Sequence, residues 1–239
     1  MKEWSLQPDR YLSKEELGKL LRKAEELRSL GVAKGKKQPI RDWLIIQLAI
    51  YSGLRVSEIA ALRVTDCFIG YGRAELLVRR GKGGKQRVVK IGDHLKKCLR
   101  WYIRWKSQEG ELSAEAYLLR SQRTEKMGRG GIWYRWKTYC PEHRAHDARH
   151  SFGTLLLEAS GGNLRVVQKA LGHSRITTTT VYADVVDEKT RESMKAMDHL
   201  ARSTMKPVRN PQPGRLAMAS VEEDHTEPDW APLPEPGFG

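Results

Sequence analysis

The sequence predicts a mainly α-helical domain with one small antiparallel β-sheet, an α+β fold. Apolar residues recur at helical spacing along most of the chain, and two short β-prone runs flank a single glycine-rich loop. Hydrophobic residues make up 39% of the 239 positions, which is enough for a substantial core. We find no internal repeat of roughly 20 to 50 residues, so a repeat architecture is not expected.

Three helices are predicted in the first part of the chain. Ser13 and Glu16 form a capping box, and apolar residues at helical spacing continue the first helix over about 14–29. A second helix is expected over about 39–53, because its proline suits a first turn and its glycine suits a helix end. A third, shorter helix is expected over 56–62.

The middle of the chain predicts a β-hairpin with a basic tip. The β-prone runs at 74–79 and 86–91 are separated by the loop Gly81-Lys82-Gly83-Gly84-Lys85. Helical spacing then resumes, and the further helices are expected at 93–106, 129–139, 146–159, 164–171 and 187–202.

The charge of the chain is unevenly distributed. Lys and Arg number 43 against 29 Asp and Glu, a net charge of +14. Residues 206–239 hold six of these acids and seven of the ten prolines, so they are predicted to form a disordered acidic tail. A flexible start over 1–10 and one domain over 11–205 are expected before it. Residues 1–205 carry 40 basic and 23 acidic side chains, an excess that favours binding to a polyanion over a role in solubility alone.

Several classes of protein are excluded by composition. The longest apolar candidate, 43–51, is nine residues long and contains Gln47, whereas a membrane helix needs about 20 apolar residues. The first residues lack the apolar stretch of a secretory signal, so no leader is expected. The cysteines, Cys67, Cys98 and Cys140, are too few and too widely spaced for a disulfide scaffold. We therefore expect a protein of the reducing cytoplasm with no membrane partner.

Two further patterns resemble ligand sites but fit them poorly. Cys140, His143, His146 and His150 could suggest zinc, but histidines spaced three and four apart with one cysteine make a helical stripe without a second ligand pair. The loop at Lys82 lacks the Ser or Thr that a nucleotide-binding P-loop requires at the next position. No metal and no other cofactor is expected.

Four motifs follow one another along the chain: GLRVSEIAAL at 53–62, RGKGGKQRVV at 80–89, HDARH at 146–150 and LGHSRITTTTVY at 171–182. Their order, together with the spacing of nine residues from the histidine to the tyrosine of the last motif, resembles the tyrosine recombinases, the phage integrase and Xer-type family. The resemblance covers about residues 11–202 and implies the fold of that family's catalytic domain. By position, it implies six catalytic residues: Arg55, Lys82, His146, Arg149, His173 and Tyr182.

The resemblance implies a site-specific recombinase that cuts and rejoins double-stranded DNA without ATP or metal. Tyr182 is then the nucleophile, and a 3′-phosphotyrosine retains the energy of the broken bond while a 5′-hydroxyl leaves. Arg55 and Arg149 are expected to bind the non-bridging oxygens, because planar, permanently charged guanidiniums stabilise the negative transition state. His173 is expected to donate to the same oxygens.

The remaining positions of the motifs have supporting roles by the same resemblance. Lys82, on a flexible tip, suits the general acid for the leaving 5′-oxygen. His146 either assists proton transfer from the nucleophile or supports the phosphate, and the sequence leaves both open. Glu58 lies one turn after Arg55 and is expected to orient it.

Basic residues near these motifs are expected to contact DNA. Lys85 and Arg87 belong to the hairpin, and Lys85 is the alternative to Lys82 as the general acid. Arg129 and Arg135 lie on a helix whose aromatic residues are expected to divide about evenly between core and surface.

The family also implies partners. A homo-oligomer is expected, with a dimer on each DNA site and a tetramer in synapsis, together with an accessory DNA-bending protein. Because the resemblance begins near residue 11, we expect a catalytic domain standing alone, without the family's usual N-terminal core-binding domain. Two other functions stay open: a DNA-binding regulator or relic without strand exchange, and nicking and resealing like that of a type IB topoisomerase.

Overall fold

The computed structural model describes residues 10–113, 115–173 and 179–182. The predictions that lie outside these ranges are the helix at 187–202, the tail at 206–239 and most of the flexible start at 1–10. The side chain of Lys82 also lies outside the described part. Chain contacts divide the protein into two units, Met1–Lys195 and Ala196–Gly239, and all the described residues belong to the first.

The described residues form seven α-helices and three β-strands. Their bounds, in chain order, are α1 Lys14–Ala33, α2 Lys37–Tyr51, α3 Val56–Ala61, β1 Cys67–Phe68, β2 Glu75–Val78, β3 Arg87–Lys90, α4 Asp93–Gln108, α5 Arg129–Tyr139, α6 Ala145–Ala159 and α7 Leu164–Leu171. Short 3-10 turns lie at Val64–Asp66, Lys82–Gly84 and Thr180–Tyr182. The predicted class, mainly α with a small antiparallel sheet, is confirmed.

Helix α1 begins where the capping box predicts and ends later than expected. The Ser13 hydroxyl accepts from the Glu16 amide at 3.2 Å, and the Glu16 carboxylate accepts from the Ser13 amide at 2.7 Å. The helix continues past residue 29 because Gly31 is buried against α2. A side chain at Gly31 would place its Cβ 2.5 Å from Ile40 Cγ1, so the glycine permits close helix packing.

Helix α2 lies at the centre of the core. Every residue from Ile40 to Ile50 is buried, including Arg41, Asp42 and Gln47. The helix packs against α1, α4, α5 and α6. Because α3 follows α2 after only four residues, the buried α2 holds the start of α3 in place.

The sheet has the order β1-β2-β3 and is antiparallel throughout. The predicted hairpin is confirmed, with Glu75 opposite Lys90 and Val78 opposite Arg87. Its tip contains Gly83 and Gly84 at φ of 72° and 75°, a conformation that glycine adopts without strain. Strand β1 was not predicted, because two residues are too short to display an alternating pattern.

A second apolar cluster joins α6, α7 and the 3-10 turn at Thr180–Tyr182. Leu157 of α6 and Val167 and Leu171 of α7 are buried together with Tyr182. This packing sets the last of the four motifs against the third. Among the described helices, none has the length and apolar character to cross a membrane.

Candidate active site

Arg149 lies at the centre of the candidate site and is 2% exposed. It projects from α6 and donates from Nη1 to the carbonyl of Gly53 and from Nη2 to the carbonyl of Leu171, the latter at 2.7 Å. These bonds tie α6 to the α2–α3 turn and to the end of α7. A guanidinium has five N–H donors, and these two bonds, within the described part of the chain, use two of them.

Arg55 caps the start of α3 beside this arginine. Its side chain is 27% exposed and contacts Glu58, with Nη1 to Oε1 at 3.0 Å. The Arg55 amide also donates to Glu58 Oε2 at 2.9 Å. The carboxylate therefore holds both the backbone and the side chain of Arg55, and part of the guanidinium faces solvent.

Glu58 is buried and bridges two arginines. Arg87 of β3 donates from Nη1 to Oε1 at 2.7 Å and from Nη2 to Oε2 at 2.9 Å, which makes a bidentate ion pair. Burial alone would raise the pKa of Glu58, but the hydrogen bonds and charges of Arg87 and Arg55 lower it to about 2. Glu58 is therefore ionised at neutral pH.

Three histidines lie around Arg149. The rings of His146 and His150, one turn apart on α6, meet edge to face with centroids 4.7 Å apart. His173, just after α7, has Nδ1 3.0 Å from Thr179 Oγ1. Burial and neighbouring positive charge lower the pKa of His150 and that of His173 to about 4 each, and they also lower the pKa of His146. The imidazoles are therefore neutral at pH 7 and can accept protons.

Tyr182 is buried, with 1% of its surface exposed. Its ring packs on Gly153 of α6, where an added Cβ would lie 2.7 Å from Tyr182 Cζ. The phenol oxygen is 3.1 Å from His150 Nδ1. Burial raises the pKa of Tyr182 to about 12, so the phenol is protonated at neutral pH, and the tautomer of His150 sets which of the two groups donates the hydrogen bond.

Five of the six predicted catalytic residues, all but Lys82, lie close enough together in the structure to interact electrostatically. Burial and the charge of Arg55 lower the pKa of Arg149 to about 10, and Tyr182 interacts with the same guanidinium. Arg149, Arg55 and His146 in turn contribute to the lowered pKa of His173. The sixth, Lys82, is described by its backbone alone.

Of the four side chains predicted to contact DNA, two have buried partners inside the protein. Arg87 is paired with Glu58, and Arg135 donates from Nε at 2.6 Å, and from Nη2, to Asp42, whose side chain is fully buried. In the structure their guanidiniums are bound to these carboxylates, and their contact with DNA stays a prediction. Lys85 and Arg129 are exposed.

His150 is the residue that sequence reasoning missed. The pattern contained a signal, because residues four apart on a helix share a face, which puts His150 beside His146. In the described part of the chain no group of three or more His, Cys, Asp or Glu is placed to hold a metal ion, and His143 instead contacts Glu16 at 3.2 Å.

Acidification is expected to destabilise the fold through two of these histidines. His150 and His173 have folded pKa values of about 4 against an ordinary 6.5. Between these two pH values the unfolded chain is protonated at both histidines, whereas the native state is not. The free energy of unfolding should fall as the pH drops from 6.5 toward 4, by at most about 1.4 kcal/mol per pH unit for each histidine. Urea unfolding at several pH values measures this slope.

The matched variants are His150→Gln and His173→Gln. Each should flatten the slope above about pH 5.5, because the contribution of Glu58 begins only as the pH falls toward its ordinary pKa of 4.5, where the unfolded chain takes up the proton. A wild-type stability that stays constant between pH 6.5 and 5 would contradict the proposed environment of these rings.

The model of the phage integrase family matches residues 10–189. Tyrosine recombinase XerA of Thermococcus kodakarensis is 38% identical over 186 residues, which cover 75% of this chain and 62% of the relative. Tyrosine recombinase XerD of Ralstonia nicotianae is 38% identical over 168 residues, which cover 67% of this chain and 53% of the relative. The chain thus spans less than two thirds of the length of either relative.

Solved structures show the same fold. The crystal structure of XerA recombinase matches with a TM-score of 0.61 and 25% identity, over 78% of this chain and 65% of that one. XerH site-specific recombinase, in a post-cleavage complex with palindromic difH substrate, matches with a TM-score of 0.63 and 22% identity, over 79% of this chain and 53% of that one.

Proposed function

Because the chain belongs to the phage integrase family, we propose that it is a tyrosine-type site-specific recombinase that cleaves and rejoins double-stranded DNA through Tyr182. The observation that carries the proposal is the gathering of a phenol, three neutral imidazoles and the guanidinium of Arg55 around the guanidinium of Arg149. The relatives are named tyrosine recombinases, which supports the same activity.

The phosphate is bound by the two arginines. Among the described residues, two of the five N–H donors of Arg149 are bound to backbone carbonyls, and Arg55 keeps a partly exposed guanidinium. The buried Glu58 neutralises only one of the neighbouring positive charges, so the site still attracts an anion. These donors stabilise the charge that builds on the non-bridging oxygens as phosphorus becomes five-coordinate. His173 adds a further donor when its ring N–H faces those oxygens.

The nucleophile begins in a protonated, buried state. For attack, the phenol of Tyr182 moves from its contact with His150 toward the phosphorus. Its oxygen forms the new P–O bond, its proton passes to a neutral imidazole of His150 or His146, and the bond to the 5′-oxygen breaks. Lys82 protonates the departing oxygen, with Lys85 as the alternative. Religation reverses these steps with another 5′-hydroxyl.

DNA contacts lie outside this centre. Lys85 at the hairpin tip and Arg129 at the start of α5 are exposed and free to approach phosphates. Trp133, 53% exposed, stands one turn after Arg129 and adds an aromatic surface beside it. We propose a homo-oligomer that works in the cytoplasm, with a dimer on each site, a tetramer in synapsis and an accessory DNA-bending protein.

A nicked suicide duplex tests the proposed activity. The substrate is made from inverted repeats that flank the gene, with a nick placed so that the short 5′-hydroxyl fragment diffuses away and the covalent complex accumulates. Wild-type protein is expected to form a denaturant-resistant DNA adduct at the same rate with and without EDTA, because arginines supply the positive charge at the phosphate. An adduct that requires a divalent metal would contradict the scheme.

The same substrates separate the alternatives. Binding to the repeats without any adduct would favour the regulator. Relaxation of a supercoiled plasmid that lacks the repeats, without exchange between two site-bearing duplexes, would favour the topoisomerase-like activity. Exchange between the two duplexes supports the recombinase.

A further inference from the structure

Arg87 occupies a position that phosphate binding does not explain. Only 18% of its side chain is exposed, and both terminal nitrogens are bound to Glu58 at 2.7 and 2.9 Å. Such a bidentate ion pair fixes the plane of the carboxylate as well as its position. Because Glu58 in turn binds the amide and the guanidinium of Arg55, the plane set by Arg87 determines where Arg55 points.

Two glycines make room for Arg87. A Cβ on Gly172 would lie 2.5 Å from Arg87 Nε and 2.7 Å from its Cδ, and a Cβ on Gly81 would lie 2.9 Å from Nη1. Gly172 ends α7 at φ +66° and directly precedes His173, while Gly81 directly precedes Lys82. The Arg87 side chain is thus packed between the two segments that carry the predicted histidine and the predicted general acid.

We propose that Arg87 is the positioning residue of this site: it orients Arg55 through Glu58 and sets the spacing of the hairpin and the α7 end against α3. The proposal rests on the recombinase function and adds a residue to it. Arg87 is the first residue of β3, directly after the hairpin tip, so the same contact links the placement of the tip to the placement of the phosphate-binding arginine.

Charge explains why an arginine is needed here. In the described residues, the charged groups facing Glu58 are Arg55 at the start of its own helix, Arg87 of β3 and Arg149 of α6. Without Arg87, burial of the carboxylate is opposed chiefly by Arg55, and the pKa of Glu58 rises. A lysine keeps the charge but supplies one point of contact in place of a fork, so it neutralises Glu58 without fixing its plane.

The test compares wild type with Arg87→Lys and Arg87→Gln on the nicked duplex. We expect single-turnover cleavage to fall at least about tenfold in Arg87→Lys and further in Arg87→Gln, with DNA affinity and its salt dependence unchanged. The acid limb of the cleavage profile should move to higher pH in Arg87→Gln. A salt slope smaller by about one would instead identify Arg87 as a phosphate contact and overturn the proposal, as would wild-type cleavage rates.

A measurement without DNA keeps this result separate from the recombinase proposal. Titration of the Glu58 carboxyl by carbon NMR should give a midpoint below pH 4 in wild type and a clearly higher midpoint in Arg87→Gln. An unchanged midpoint would overturn the link from Arg87 to Glu58 whatever the protein does to DNA. Absence of any adduct from wild type would remove the recombinase function, whereas slow cleavage confined to the Arg87 variants supports both proposals.

Discussion

Replacing Tyr182 by phenylalanine is expected to abolish the covalent DNA adduct while the protein still folds and binds DNA. The ring that packs on Gly153 is retained, and the structural loss is one hydrogen bond, to His150, worth about 1 kcal/mol. The chemical loss is complete, because no oxygen remains at this position to attack phosphorus. The measurement is the yield of protein–DNA adduct on the nicked duplex, beside the melting temperature and the DNA affinity.

Tyr71→Phe is the matched control, because the Tyr71 side chain is fully exposed and lies outside the cluster around Arg149. This variant should form the adduct at the wild-type rate. Adduct formation by Tyr182→Phe would remove Tyr182 as the nucleophile.

Replacing Arg149 by alanine is expected to slow cleavage by at least about a hundredfold with little change in DNA affinity. The guanidinium contributes at the transition state, where charge on the phosphate oxygens is greatest, so its loss falls on the cleavage step more than on binding. Single-turnover cleavage rates and binding curves measured on the same duplex separate the two effects. A loss of affinity as large as the loss of rate would contradict this role.

Stability must be measured beside this variant, because Arg149 also has structural partners. Alanine leaves the buried carbonyls of Gly53 and Leu171 without this donor, at a cost of about 1–3 kcal/mol for each unsatisfied group. Arg149→Lys restores the charge and one donor nitrogen, so it should recover part of the stability. It should recover little of the cleavage rate, because lysine cannot bind two oxygens in the fork geometry.

The fold was predictable to the extent that its signals were local. The capping box at Ser13 and the proline and glycines at helix ends are read within one turn, and the helices 129–139 and 164–171 have the predicted bounds. The end of α1 was not predictable in this way. It depends on Gly31 meeting Ile40 of the next helix, a contact that only tertiary packing creates.

The contacts of the site were likewise predictable only where the partners are close in sequence. Glu58 and Arg55 are three residues apart at a helix start, so their contact follows from helical geometry. Arg87 reaches Glu58 across 29 residues and a hairpin, and Arg135 reaches Asp42 across 93 residues. Their basic character suggested DNA, and nothing local indicated the buried carboxylates that bind them.

The hydrogen bond between His150 and Tyr182 joins residues 32 positions apart. It depends on the packing of α7 and the Thr180–Tyr182 turn against α6. The motifs identify both residues, but they do not indicate which imidazole meets the phenol. The resemblance left two roles open for His146, proton transfer from the nucleophile and support of the phosphate, and the structure places His150 at hydrogen-bond distance from the phenol, with the His146 ring in contact with that of His150.

The central claim is that Tyr182 forms the bond to DNA, and mass spectrometry of the digested adduct tests it most directly. Wild-type protein trapped on the nicked duplex is treated with nuclease and protease, and the peptide that retains a nucleotide is sequenced. The account predicts a single modified peptide, with the 3′-phosphate of the DNA esterified to the phenol of Tyr182. A nucleotide attached to any other side chain would contradict it.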